Sequence, residues 1–458
     1  MMRHIAVIGG GLSGAIFCIA MLRQCDTQCT LHLIEPDAAL GRGIAYGQAS
    51  PWHSLNVTAD RASLEPDNPD HLWQWAAIHG PGLGFPEAAS ADAKSYLPRK
   101  LFGLYAAASL QEAARHSAGP RLVVHQASVQ RLLKQDQGFR LQLSDGSHLD
   151  CGEAVLLTGA LPGPALDLPG LQAARNLGHV VDNPWDIDRL RRIGKQDRVV
   201  IAGTGLTMAD VVLSLRRVGH RGEIVALSRH GVVPAPRSLA SPGAPVLQAG
   251  DAPRLSHLLH RLRQAVRRNP GGDWQQVFES LRSVTRDLWQ NMDTQTRRRF
   301  ARHCRTFWDA HRFRMPPDTA QDLQADLQAG RLRLLKARFM QIAAGSGALD
   351  IAYRRRGASN VESLACGALI LCTGPGQNPA QADFLQQSRQ DGLIRLDASG
   401  MGLDATQDGQ LLDAAGRPVP GLYAFGPPLR GLRLECTAIT EIRGEAFDLA
   451  RLLAPAVT

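Results

Sequence analysis

Paired thiols are missing from this chain. Its eight cysteines contain no CxxC; Cys25 and Cys29 form only a CxxxC, and Cys366 and Cys372 bracket an apolar strand. Such thiols read as inert, which excludes dithiol redox chemistry. Lysine is scarce as well: five of the 51 basic residues are Lys94, Lys100, Lys134, Lys195 and Lys336. Composition bias of this kind makes the net charge of +9 poor support for nucleic-acid binding, and none is expected. No apolar run approaches the ~18 residues of a membrane span, and no signal-peptide core precedes the first strand. A cytoplasmic protein with no membrane partner is therefore expected. Neither haem nor iron–sulfur spacing occurs, and no metal site is expected.

What is present is organised around residues 4–35. The β-branched run His4-Ile5-Ala6-Val7-Ile8 leads directly into Gly9-Gly10-Gly11-Leu12-Ser13-Gly14. A helical pattern (Ala15, Ile16, Ile19, Ala20, Leu22) and a second strand, Thr30–Ile34, follow and end at Glu35. In this arrangement Gly9 makes the tight turn, Gly11 lets the backbone approach a pyrophosphate, and Gly14 lets helix and strand pack closely. The helix N-terminus favours an anion, and Glu35 stands at roughly the 20-residue offset of a ribose-binding acid. Together these features predict a bound dinucleotide.

The order of the remaining elements is that of an α/β protein. Gly41-Arg42-Gly43-Ile44-Ala45-Tyr46-Gly47 and Leu55-Asn56-Val57 read as a loop lying close to a flat anionic ligand. Helices are predicted over Asp67–Ala77 and from Pro98-Arg99, and strands at Leu122–His125, Phe139–Ser144 and Ala154–Leu157. A proline-rich stretch, Pro162 to Pro169, marks a crossover. The strand–turn–helix–strand unit then recurs as Arg198–Ala202, Gly203-Thr204-Gly205-Leu206-Thr207-Met208, a helix, and Glu223–Leu227. Met208 replaces the third glycine, but repetition of the whole unit predicts a second dinucleotide. Its second strand ends in Ser228-Arg229 rather than an acid, which favours the 2′-phosphate of NADPH over NADH. Residues 255–327 are helical and basic, densest from Arg297 to Arg314, and read either as a solvated face or as an anion-binding wall. Strands at Leu332–Leu335, Phe339–Ala343 and Leu349–Tyr353 follow. Ala368–Gly374 then repeats the strand-to-Thr-Gly pattern of 154–159, and the final helix follows Glu435–Arg443.

These motifs give the chain a family resemblance. It resembles the flavoproteins with two dinucleotide-binding domains, and within them a bacterial FAD/NAD(P)-binding group with GRGIAYG, LNV, GTGLTMAD, His311–Met315 (HRxRM) and a terminal TAxxEIR. That group includes FAD-dependent urate hydroxylase and aspartate N-monooxygenase; ornithine N-hydroxylases and Baeyer–Villiger enzymes are more distant. The resemblance implies two Rossmann-like domains in a glutathione-reductase-like arrangement with a helical insertion. The implied units are 1–165 and 361–458 for FAD, 166–254 and 329–360 for NAD(P), and 255–328 for the insertion. It implies FAD on Gly9, Gly11, Ser13, Gly14, Glu35, Gly43, Asn56, Gly426 and Thr437. NADPH or NADH would sit on Gly203, Gly205, Leu206, Thr207, Ser228 and Arg229. Two departures stand out: Gly426-Pro427 replaces the usual Gly-Asp, and the Baeyer–Villiger signature survives only as Gly178-His179 and Trp185.

Two such cofactors imply hydride transfer from nicotinamide to flavin. Without redox cysteines, the electrons are expected to reach O2, giving a flavin C4a-hydroperoxide that attacks an electron-rich atom. An anionic small molecule is expected as substrate, held by His311, Arg312 and Arg314. Urate, hydroxylated at C5 to 5-hydroxyisourate, is the leading expectation. N-hydroxylation of an amino acid or amine is the alternative, and a flavin redox sensor or non-oxygenating oxidoreductase a further one.

Overall fold

The computed structural model describes residues 3–160, 166–251, 254–268, 272–345, 347–374 and 379–454. Residues 162–165 of the expected crossover lie outside the described residues. Strands β1 (Arg3–Ile8), β2 (Cys29–Ile34), β3 (Arg121–His125), β4 (Val129–Lys134), β5 (Phe139–Leu143), β6 (His148–Cys151) and β7 (Glu153–Leu156) come first. Next are β8 (Val180–Val181), β9 (Val199–Ala202), β10 (Ile224–Ser228), β11 (Leu332–Ala344), β12 (Leu349–Arg355), β13 (Glu362–Cys366) and β14 (Ala368–Leu371). The last are β15 (Gln410–Leu412) and β16 (Pro418–Ala424).

They form two main sheets and a small meander. The first sheet runs β15-β16-β7-β1-β2-β3, with every pair parallel except β15–β16. Both its faces are covered, which is why β1 and β2 read as nearly unbroken apolar runs. The helix Leu12–Gln24 is buried from Leu12 to Leu22, sharing a core with helices Arg99–His116 and Ile439–Leu453. The second sheet runs β13-β12-β11-β10-β9-β14-β8, and the antiparallel meander β4-β5-β6 covers part of the first domain.

Several boundaries differ from the expected ones. Strands β13 and β14 belong to the second sheet, so the chain returns to the first domain after residue 371 and not at 361. The Thr-Gly repeat explains the error, because β7 and β14 occupy equivalent places in different sheets. Leu332–Leu335 and Phe339–Ala343 are one strand, β11, with an irregularity between Phe339 and Gln341. Its first half pairs with β10 and its second half with β12. The segment 43–47 is a short helix instead of a loop, and the basic stretch folds into helices between Leu255 and Gln328. Among the described residues no helix is long and apolar enough to cross a membrane.

Candidate functional site

The two dinucleotide turns share one construction. Gly9 has φ +109° and Gly203 φ +127°, a region that favours glycine. A Cβ on Gly9 would stand 2.5 Å from the Leu157 carbonyl oxygen after β7, and one on Gly203 2.3 Å from that of Cys372 after β14. Each first glycine is therefore required by the fold. So is Gly14, whose Cβ would lie 2.0 Å from the Gly9 oxygen; at the matching place Met208 is fully buried in the second core. The second glycines are different. Gly11 has an ordinary φ of −68°, and its nearest neighbour would be Gly43 Cα at 3.5 Å. A Cβ on Gly205 would meet nothing within 4 Å. Both cap their helices without any capping side chain or first-turn acid, leaving the first-turn amides without a side-chain acceptor at the cap. This is a cradle that a side chain would fill, and it fits a pyrophosphate at each turn.

Glu35 does more than await a ribose. Its Oε2 accepts the Gly10 amide at 2.7 Å and its Oε1 the Asp37 amide at 3.2 Å, so it also fixes the turn. Ser13 is buried close to Gly426, whose amide is held by Glu445 at 2.7 Å. In the second domain the Ser228 hydroxyl is occupied by Thr204 Oγ1 (2.8 Å) and the Gly231 amide (2.9 Å), so it acts on the loop. Arg229 is exposed, and Lys336 pairs with Ser228 across β10 and β11. Arg356 Nη1 lies 3.0 Å from His230 Nδ1. Burial and then Arg356, Arg229 and Lys336 push the His230 pKa down, which marks a cluster of cations at the end of this sheet. Of these, only Arg229 was visible from the motif.

A cavity of about 220 Å3 lies beside the second turn. The short helix facing Gly11 contributes Ala45 and Tyr46 to its wall, the next loop Asn56, and the second turn Leu206 and Thr207. Thr437, Ala438 and Ile439 bring the uncapped N-terminus of the helix Ile439–Leu453 to the same space. The basic helical segment contributes Arg282, Arg312, Phe313 and Met315.

Only one of the three expected substrate residues faces this cavity. His311 is stacked on Phe278 (centroids 5.3 Å apart) with its Nδ1 on the Phe307 carbonyl, outside the lining. Arg314 is fully buried and bonded to Gln275 and Glu279. Arg312 does line the cavity, but Glu435 takes it with two bonds of 2.5 and 2.8 Å. Behind the wall Glu279 receives Arg61 and Arg282, each at 3.2 Å, in addition to Arg314. Burial alone would raise its pKa, but Arg282, Arg314, Arg312 and Arg61 outweigh that and hold it at about 2. The charge run therefore divides: Arg298, Arg299 and Arg302 are exposed, and Arg305 pairs with Asp309 one turn on at 3.6 Å. Arg312 and Arg314 are taken by Glu435 and Glu279, acids from distant segments for which no local pattern exists.

All eight cysteines are free, and burial raises the pKa of Cys29, Cys151, Cys366 and Cys436 to about 12. No group of three or more His, Cys, Asp or Glu among the described residues could hold a metal.

Residues 6–161 match a family described as FAD-NAD(P)-binding. No curated protein matches the chain. Solved structures similar to it include the ornithine N-hydroxylase of Kutzneria sp. 744 with reduced FAD, NADP+ and L-ornithine (TM-score 0.64, 15% identity, 99% of each chain covered). L-lysine 6-monooxygenase of Pseudomonas syringae is similar too, at TM-score 0.63 and 17% identity over 100% of both chains. So is the cadaverine monooxygenase of Erwinia amylovora bound to FAD, at 0.63 and 15%, covering 98% of this chain and 94% of that one. At such identities the likeness is one of fold.

Proposed function

We propose that this chain is an FAD- and NADPH-dependent monooxygenase that hydroxylates the nitrogen of a small amine. The observation that carries the reading is the pair of uncapped helix N-termini, each led by a glycine that the fold does not need, with a cavity lined by the second of them and by the short helix that faces Gly11. Gly9, Gly11, Ser13, Gly14 and Glu35 would hold the FAD pyrophosphate and ribose, with Gly43, Asn56, Gly426 and Thr437 along the rest of the cofactor. Gly203, Gly205, Leu206 and Thr207 would hold NADPH, and Arg229, Lys336 and Arg356 its 2′-phosphate. Bound flavin, reduced by the nicotinamide, supplies activation of O2 and delivery of one oxygen atom. The net reaction is amine + O2 + NADPH + H+ giving hydroxylamine + NADP+ + H2O.

The chain's own residues do the remainder. Phe313, Met315, Leu55 and Ile439 line the cavity with apolar surface that excludes water from the reacting centre. Glu441 reaches the same cavity on the first turn of its helix; its Oε1 accepts from Arg282 at 3.2 Å and its Oε2 from Thr440 at 2.7 Å, and its remaining lone pairs would accept from an amine. Support for an amine over urate comes from two sides. The similar structures act on ornithine, lysine and cadaverine, and the cavity mixes acids with arginines whereas His311 and Arg314 point elsewhere.

The test follows NADPH oxidation by the purified yellow protein with L-ornithine, L-lysine, L-aspartate, cadaverine or urate, together with colorimetric detection of hydroxylamine. One of the amines should stimulate oxidation and yield hydroxylamine in proportion. Stimulation by urate with loss of its absorbance would restore hydroxylation at C5. Stimulation by none would leave a sensor or simple oxidase.

A further inference from the structure

Four arginines line the cavity, and three of them are hydrogen-bonded to carboxylates. Arg99 Nη2 binds Asp210 at 2.6 Å, Arg282 binds Glu279 and Glu441 at 3.2 Å, and Arg312 binds Glu435. The fourth is Arg237, only 8% exposed. Its Nε donates to the Asn56 carbonyl at 2.9 Å, while its terminal nitrogens have no hydrogen-bond acceptor among the described residues. The carboxylate oxygen beside Nη1, from Glu279, is 3.7 Å away and already bonded to Arg314.

The position of Arg237 is tightly fixed. Its amide donates to the Met315 carbonyl at 2.8 Å, and Gln275 clamps the residues on either side, at the Pro236 carbonyl (2.8 Å) and the Ser238 amide (3.0 Å). Nearby, the Tyr96 hydroxyl is buried with no partner, close enough that Arg237 opposes the upward push burial gives its pKa. Burial, and then Arg314, lower the pKa of Arg237 itself to about 10. A guanidinium this enclosed costs free energy unless an anion meets it.

We propose that Arg237 is a specificity-determining residue that binds a carboxylate of the substrate, so that the amine is an amino acid and not a plain diamine. This rests on the amine reading above. A fork of free N–H donors matches a carboxylate geometrically, and the enclosed site strengthens the pairing. A charge-assisted contact of this kind is worth about 10- to 100-fold in affinity.

The test uses matched compounds that differ by one α-carboxylate: L-lysine with cadaverine, L-ornithine with putrescine, and L-aspartate with β-alanine. Binding to the FAD-loaded, NADP+-saturated protein is measured by titration calorimetry. The wild type should prefer the α-carboxylated member of one pair by about 10- to 100-fold. Arg237→Gln should bring that ratio close to one, and Arg237→Lys should keep part of it. Because the ratio is taken within each variant, a general loss of folded protein cannot imitate the effect. A wild type without the preference, or a preference that survives Arg237→Gln, overturns the assignment and leaves the amine reading standing. If no member of any pair binds, both readings fall.

Discussion

Single residues divide into those the fold requires and those only a ligand requires. Gly14 and Gly11 lie three positions apart and fall on opposite sides. Gly14→Ala places a methyl group 2.0 Å from the Gly9 carbonyl oxygen, an overpacking that should cost about 1–3 kcal/mol and lower the melting temperature by about 1–3 °C. Gly11→Ala places its methyl group no closer than 3.5 Å to the protein, so the melting temperature of the flavin-free form should barely change while flavin absorbance is lost on desalting. Equal effects on both measurements would remove the ligand argument for Gly11. The motif made these glycines legible, because a turn is a local structure. The partners of Arg314 and Arg312 were not legible: Glu279 and Glu435 come from separate helices and loops, and charge pairing across a core leaves no spacing in the sequence.

At the scale of elements, the proposed NADPH selectivity belongs to strand ends. Ser228-Arg229 was readable as a departure from an acid, but Lys336 on β11 and Arg356 after β12 reach the same place only because those strands lie alongside. Arg229→Ala should raise the KM for NADPH by about 10- to 100-fold and leave that for NADH within about twofold, in steady-state kinetics. A wild type that prefers NADH would refute the assignment. A second feature crosses three parallel strands. His4 Nδ1 lies 2.9 Å from His32 Nε2, and His32 Nδ1 lies 2.9 Å from His125 Nε2. Burial, then His125 and His4, lower the His32 pKa to about 4. In the unfolded chain this imidazole takes up a proton near its ordinary 6.5, whereas in the fold it resists until about 4. Stability should therefore fall as pH drops from about 6.5 towards 4, and His32→Gln should flatten that slope in urea titrations.

The whole molecule depends on how its two dinucleotide domains are joined. Beyond Arg99–Asp210, the Ser214 hydroxyl on the helix of the second turn meets His53 Nε2 at 2.8 Å and Trp52 Nε1 at 3.2 Å. Every one of these pairs joins the first domain to the helix Leu206–Arg217, so the two turns are held in one relation. Calorimetric unfolding of the wild type should show a single transition, and Asp210→Ala with Ser214→Ala should split it into two. The presence of two domains was legible from the repeated turn. Their mutual placement was not, since Trp52, His53 and Ser214 belong to no motif.

The first turn also has a history written into its contacts. Gly9–Gly14 leaves the ribosome early, yet the carbonyl that meets Gly9 follows at Leu157, and the helix that packs on Leu12–Gln24 is Ile439–Leu453. Between them the second domain must be synthesised whole. On the proposed flavin reading, a nascent chain therefore has its first glycine turn long before it has a flavin pocket, and cofactor capture becomes one of the last events of its biogenesis.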